Sequence, residues 1–259
     1  MLLGFFCEPD LIMKRISAFI IIAALIGSLQ VASAGDVVGK ITLKGTPPAE
    51  IPITPLKDDP TCGKTYTSMP TTHFYVVGAD GGLGDVVVQL HGDNINDKST
   101  GASAPTVLLD QKGCLYHPQI FAVQTGQKIE VENSDPVLHN VHVVPTVNGN
   151  PEENQAQMPG STPLTFSFSK PEEFVKFKCD VHPWMFAWAT VADNPYYAVS
   201  DKDGHFTIKN VPPGKYTITA THRKLSLVPG SNPAQYKGQA KEVEVTASGA
   251  KVNFTFEIK

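Results

Sequence analysis

From Gly35 onward no stretch of this chain keeps a helical period; short alternating runs are broken every few residues by Gly, Pro, Asn or Asp. That pattern constrains the fold more than any other feature, because a strand needs only a few alternating residues between turn formers, whereas a helix needs a long 3.6-residue repeat. "VVGKITLKGTPP" reads as a strand closing in a turn, and "GGLGDVVVQL" as a Gly-rich turn feeding another. A second block opens near Thr106 with "TVLLD", "IFAVQTGQKIEVENSD" and "LHNVHVVP", then "LTFSFS", "EFVKFKC" and "FAWATVAD". A third opens at Asn194-Pro195, with turn chemistry at Asp203-Gly204 and Pro212-Pro213-Gly214. Its tail places Val252, Phe254, Phe256 and Ile258 on one face, and residues 223–239 read as a long loop. The 21 Gly, 21 Pro and 18% charged residues suit an all-β, turn-rich protein built of sandwiches.

Three divisions follow: an N-terminal β segment over 35–105, a middle domain over 106–194 and a smaller one over 195–259. The last is short for an independent sandwich. The strand in "GKITLKGTPP" is therefore expected to complete its sheet, with the middle block inserted between.

The first 34 residues read as an export signal. Lys14-Arg15 precedes the apolar run "ISAFIIIAALIG", and small residues at Ala32 and Ala34 make an A-x-A-like cleavage site. The twelve residues before Met13 do not fit that plan, so Met13 is the alternative start, and a retained anchor is the alternative to cleavage. The expected mature protein is periplasmic or secreted and has no membrane segment. A net charge of −4 gives no nucleic-acid footprint.

Of four cysteines, Cys7 lies in the leader, so an exported chain keeps Cys62, Cys114 and Cys179. An oxidising compartment favours pairing, and three leaves one over. Cys62 ("DPTCGK") and Cys114 ("QKGCLY") sit beside glycine in turn-like surroundings and are expected to pair, which reserves Cys179 as a thiolate. In the strand "EFVKFKC" Val175, Phe177 and Cys179 share a face, so Cys179 points inward at the strand's end. His182 and Met185 follow at three-residue steps on the next loop. Thiolate, imidazole and thioether are the donors a mononuclear copper centre uses, with the thioether weak and axial. A second imidazole comes from "NSDPVLHNVHVVP", where His139 follows the turn at the strand's start and His142 lies deeper and faces the other way. Singly, each of these side chains is more often structural: a core thiol, a hydrogen-bonded histidine, a core methionine. Their joint spacing shifts the balance.

These segments resemble the blue copper (cupredoxin) family. "CDVHPWM" is similar to its amicyanin-type, plastocyanin-like C-x2-H-x2-M ligand loop, "ENSDPVLHNVH" to the segment of the first histidine ligand, and "YHPQIFAVQTGQKIEVEN" to its early strands. The resemblance covers roughly Thr106 to Asp193. It implies a cupredoxin Greek-key β-sandwich with one copper ion on His139, Cys179, His182 and Met185, and Asn140 tying the two ligand loops together. "DKDGHFTIKNVPPGKYTITATH" resembles the carboxypeptidase regulatory-like, carbohydrate-binding-like modules, which implies a second, smaller prealbumin-like β-sandwich and implies a fold more than a ligand.

The expected function is electron transfer. His182 would present its ring edge at the surface, ringed by Pro183, Trp184 and Phe186, to a docked redox protein. Catalysis is not expected: the chain has no H-x-H pair to build further copper sites, and no G-x-S-x-G, H-E-x-x-H, P-loop or Rossmann fingerprint. The alternative is an envelope carbohydrate-binding, adhesion or scaffold protein in which copper is secondary and a glycan binds the terminal module.

Overall fold

Short alternating runs between turn formers become seventeen strands among the described residues of this computed structural model, which are Met1 and 33–258. Residues 2–32 of the expected signal, including Lys14-Arg15, Met13 and Cys7, lie outside the described residues.

Strands β1 (Gly35–Lys44) and β2 (Val86–His91) come first. The middle of the chain supplies β3 (Val107–Lys112), β4 (Leu115–His117), β5 (Ile120–Gln124), β6 (Ile129–Asn133) and β7 (His139–Val144), then β8 (Glu153–Gln157), β9 (Leu164–Phe166), β10 (Glu172–Lys178) and β11 (Phe186–Ala192). They form two sheets, β4-β3-β6-β9 and β5-β11-β10-β7-β8. β3 with β6 and β5 with β11 run parallel and the other pairs antiparallel, so the chain crosses between sheets in Greek-key fashion. Alternate residues fill the space between them: Val131, Val141, Val143, Val175 and Phe177 are all fully buried. Phe177 is the centre, with the rings of Phe121, Phe166 and Phe168 about it.

The remainder is β12 (Tyr197–Val199), β13 (His205–Val211), β14 (Gly214–His222), β15 (Gln239–Val245), β16 (Ala250–Lys251) and β17 (Phe254–Glu257). One sheet has the order β13-β1-β16, with β17 also on β1; the other has the order β12-β2-β14-β15. Both β1 and β2 thus pair with strands that follow the middle sandwich. The Asp201–Gly204 turn shows why the sequence folds here. The Asp201 carboxylate accepts the amides of Asp203 and His205 at 2.9 Å. Gly204 has φ +81°, and a Cβ there would lie 2.2 Å from the Ile41 carbonyl, so only glycine fits.

The run "VVVQL" is buried on both faces, as a strand between two layers must be. Val86, Val88 and Leu90 enter the terminal core, while Val87 joins Ile120, Phe174 and Trp188 in a cluster against the middle sandwich. On that same side the Gln89 amide donates to Glu173 at 2.7 Å.

Between β1 and the Gly81–Leu83 stretch that bonds back to it lies a segment, the flap, outside the sheets of both sandwiches. It carries one helical turn, α1 (Thr54–Asp58), and then Cys62. Ile53, Leu56 and Cys62 enter the middle core, and the Glu50 carboxylate gathers the Thr72 hydroxyl and the amides of Phe74 and Tyr75. The flap is therefore folded against the middle sandwich.

Candidate metal centre

The centre forms where two core-facing strands run out at the same end. β7 begins at His139 and β10 ends at Lys178, and the antiparallel pairing of Lys178 with His142 brings Cys179 back over the start of β7. Because His139, Val141 and Val143 share the inward face, His139 is wholly buried. His142 points outward, held by Asp180 at 2.7 Å and Glu152 at 2.8 Å. After β10 the chain closes a tight loop: the Cys179 amide donates to the Met185 carbonyl at 3.2 Å, and the Met185 amide to the His182 carbonyl at 2.9 Å. That loop brings all three side chains inside, with Cys179 1%, His182 5% and Met185 0% exposed.

His139 Nδ1 lies 2.9 Å from His182 Nδ1, and Cys179 Sγ lies 3.7 Å from His182 Nδ1. One ligand atom from each of the three residues falls within 4.8 Å of the others. Two imidazoles turning the same nitrogen toward each other and toward a thiol leave at most one N–H to share. A soft cation accepting all three lone pairs satisfies them together, so the donor set fits copper. Met185 is buried in the same cluster as Cys179.

Asn140 links the two ligand segments. Its amide donates to Cys179 Sγ at 3.4 Å, and its side-chain oxygen accepts the amides of Asp180 and Val181. Burial pushes the Cys179 thiol pKa up, but His139 and the backbone donors at Asn140, His182 and Val181 favour the thiolate and leave it below the ordinary cysteine value.

Two aspartates that sequence reasoning did not single out stand behind the histidines. Asp135 accepts from His139 Nε2 at 2.9 Å and from the amides of Gly113 and Cys114, each at 2.7 Å. Asp59 accepts the amides of Thr61 and Cys62 and lies 3.8 Å from His182 Nε2. Cys62 and Cys114 are joined in a disulfide. Each half-cystine thus sits in a turn whose amides are gathered by a carboxylate facing one histidine. The only sequence hint was the i, i+4 spacing of Asp135 and His139.

The position of His182 corrects one expectation. Its ring edge is not at the surface, because Asp59 and the disulfide-pinned flap cover it. Pro183 is exposed, but Trp184 is half-buried, with its ring 5.2 Å from that of His182 and its indole N–H donating to the Cys114 carbonyl at 3.1 Å. The exposed apolar side chains of the ligand loop are Val181, 50% exposed, and Pro183.

Among protein families, the model described as "BOS complex subunit NOMO1-like, second beta sandwich domain" matches residues 192–256. No curated protein matches the chain. Among solved structures, a Cu-containing nitrite reductase from Thermus scotoductus SA-01 is 21% identical with a TM-score of 0.31, the match covering 34% of this chain and 23% of that one. A Cu(I) amicyanin variant is 17% identical with a TM-score of 0.30, covering 40% of this chain and 97% of that one. A purple cupredoxin from Nitrosopumilus maritimus is 20% identical with a TM-score of 0.28, covering 33% and 99%.

Proposed function

We propose that the chain is an exported, mononuclear blue-copper protein that passes electrons to or from a redox protein and is not itself an enzyme. The observation that carries this reading is the convergence of His139 Nδ1, His182 Nδ1 and Cys179 Sγ at one buried point between two strand ends. His139, Cys179 and His182 would hold the ion, with Met185 as the weak fourth ligand. Copper so held changes oxidation state with little rearrangement. The protein's part is to keep the donors fixed. Asn140 ties the cysteine loop to β7, Asp135 holds the His139 ring, and burial excludes water. The partner would dock beside Val181 and Pro183, a small apolar area of the kind that serves transient redox encounters.

Copper analysis and visible spectroscopy on recombinant protein test this. One copper per chain and an intense thiolate-to-copper band are expected. Cys179→Ser should abolish the band, while Met185→Leu should keep it with a changed potential. A copper-loaded protein without the band would refute the reading.

A second reading is an envelope scaffold or glycan-binding protein, and the family-model match to a β-sandwich domain over 192–256 supports its scaffold part. Glycan-array binding that persists in Cys179→Ser would support it over electron transfer.

A further inference from the structure

One well-formed cavity has no part in holding the metal or docking a redox protein. A groove of about 620 Å³ runs between the flap and the middle sandwich, a size that suits a small molecule. Its lining is mainly apolar, with Ile51 and Ile53 from the flap and Tyr116, Trp184 and Phe186 from the sandwich, and Thr54, Thr72 and His117 among them. Phe74 is shared with a smaller recess. The walls are preformed. Disulfide Cys62–Cys114 and the Glu50 contacts fix the flap, and the Trp184 indole is tethered to the Cys114 carbonyl.

One end is polar. His73, Asp85 and Gln119 line it, and they also line a small adjoining recess closed by His222 and Arg223. The cation there is already engaged: the Arg223 guanidinium lies 3.7 Å over the Trp188 ring. Burial pushes the Asp85 carboxyl up to about 6, against the pull of His73 and Arg223, so it accepts at neutral pH and can donate below pH 6. An apolar slot with aromatic walls and a donor–acceptor end selects a flat, neutral molecule carrying hydroxyl or carbonyl oxygen.

We propose that this groove is a binding site for neutral oxygenated aromatics of the phenol, hydroquinone and quinone class. The ring lies against Trp184 and Phe186, and the oxygen meets Asp85, His73 and Gln119. The site stands on the groove alone and holds whether or not copper is present.

Calorimetry on the metal-free full chain tests it, with 1-naphthol as the probe and naphthalene and 1-naphthoate as comparators. One naphthol per chain should bind, and naphthalene should bind at least tenfold more weakly for want of a hydrogen bond. Ile51→Asp places a charge on the apolar wall at a side chain 60% exposed. It should leave the thermal midpoint unchanged and weaken naphthol binding tenfold or more. Absence of saturable binding, or indifference to Ile51→Asp, would overturn the site. Equal binding of naphthalene would overturn the polar end, and preference for naphthoate would overturn the neutral class.

Discussion

The two sandwiches are built from the same material, short alternating strands around an aromatic and aliphatic core, yet they finish differently. In the terminal sandwich the inward rows of β1 and β17 stay apolar, with Ile41 and Leu43 on one and Phe254 and Phe256 on the other, and only the β14 row of Ile218 and Ala220 ends in a lone imidazole, His222. In the middle one, two inward rows end in donors, Val143-Val141-His139 on β7 and Val175-Phe177-Cys179 on β10 with its loop. A core row that ends in a donor makes a site only when a second such row ends beside it. The middle sandwich meets that condition at one end, and the disulfide-pinned flap closes over it.

The largest expected effect tests whether the sandwiches fail separately. Phe177→Ala and Phe254→Ala each remove a fully buried ring, at a cost of about 3–5 kcal/mol. Denaturant melts should show both losses. Metal titration should show weakened uptake for Phe177→Ala alone, because Phe177 stands in the row that ends in Cys179. Equal weakening by Phe254→Ala would mean that the terminal sandwich props the centre through the Val87–Trp188 layer.

Removing the staple comes next. Cys62 and Cys114 are 52 residues apart, and closing a loop of that length stabilises the folded chain by about 2–4 kcal/mol through the unfolded state. The double variant Cys62→Ser, Cys114→Ser should lose that much stability and loosen Asp59 over His182. Modification of His182 by a water-soluble histidine reagent should then accelerate several-fold. An unchanged rate would show that Leu56 and Ile53 hold the flap without the disulfide.

Much of this was legible in the chain and some was not, for physical reasons. Parity alone names the inward row at Val175, Phe177 and Cys179, since alternation is a property of the strand itself. The Asp201-x-Asp203-Gly204 turn is legible because the bonds that make it are local. The cover over His182 is not, since it depends on a flap from more than a hundred residues earlier in the sequence. Asp59 stayed hidden for the same reason, and Asp135, though only four residues before His139, because a carboxylate in a turn reads as a turn former until the fold sets an imidazole beside it. Val86, Val87 and Val88 read alike, and sequence cannot say that Val87 serves a different layer from Val86 and Val88.

A smaller effect separates the two histidines of β7. Asp135→Asn keeps the shape but leaves one neutral oxygen for Gly113, Cys114 and His139 together. Partners that orient a metal-bound histidine are typically worth 10–100-fold in affinity. Competitive copper titration should show a drop in that range. Glu152→Gln, beside outward-facing His142, should change copper affinity less than twofold. Equal effects would move His142 into the centre.

The smallest net effect lies where the terminal sandwich meets the flap, in two groups whose shifts oppose each other. Burial, with Arg223 and Lys224 nearby, pushes His222 down to about 4. The ring stays neutral, and its Nδ1 accepts the amides of Lys224 and Leu225. As pH falls from 6.5 toward 4.5 the unfolded chain takes up this proton and the folded one does not, so stability drops by about 2 kcal/mol. Asp85, raised to about 6 by burial, takes up its proton in the folded state first and returns about 2 kcal/mol over the same window. In wild type these two contributions therefore nearly cancel between pH 6.5 and 4.5. Relative to wild type, His222→Gln should gain thermal stability as pH falls, and Asp85→Asn, tolerated at the left-handed φ of 58°, should lose it. Parallel profiles for the two variants would show that neither group titrates as its surroundings require, and that this junction, unlike the donor end of the middle sandwich, is electrostatically inert.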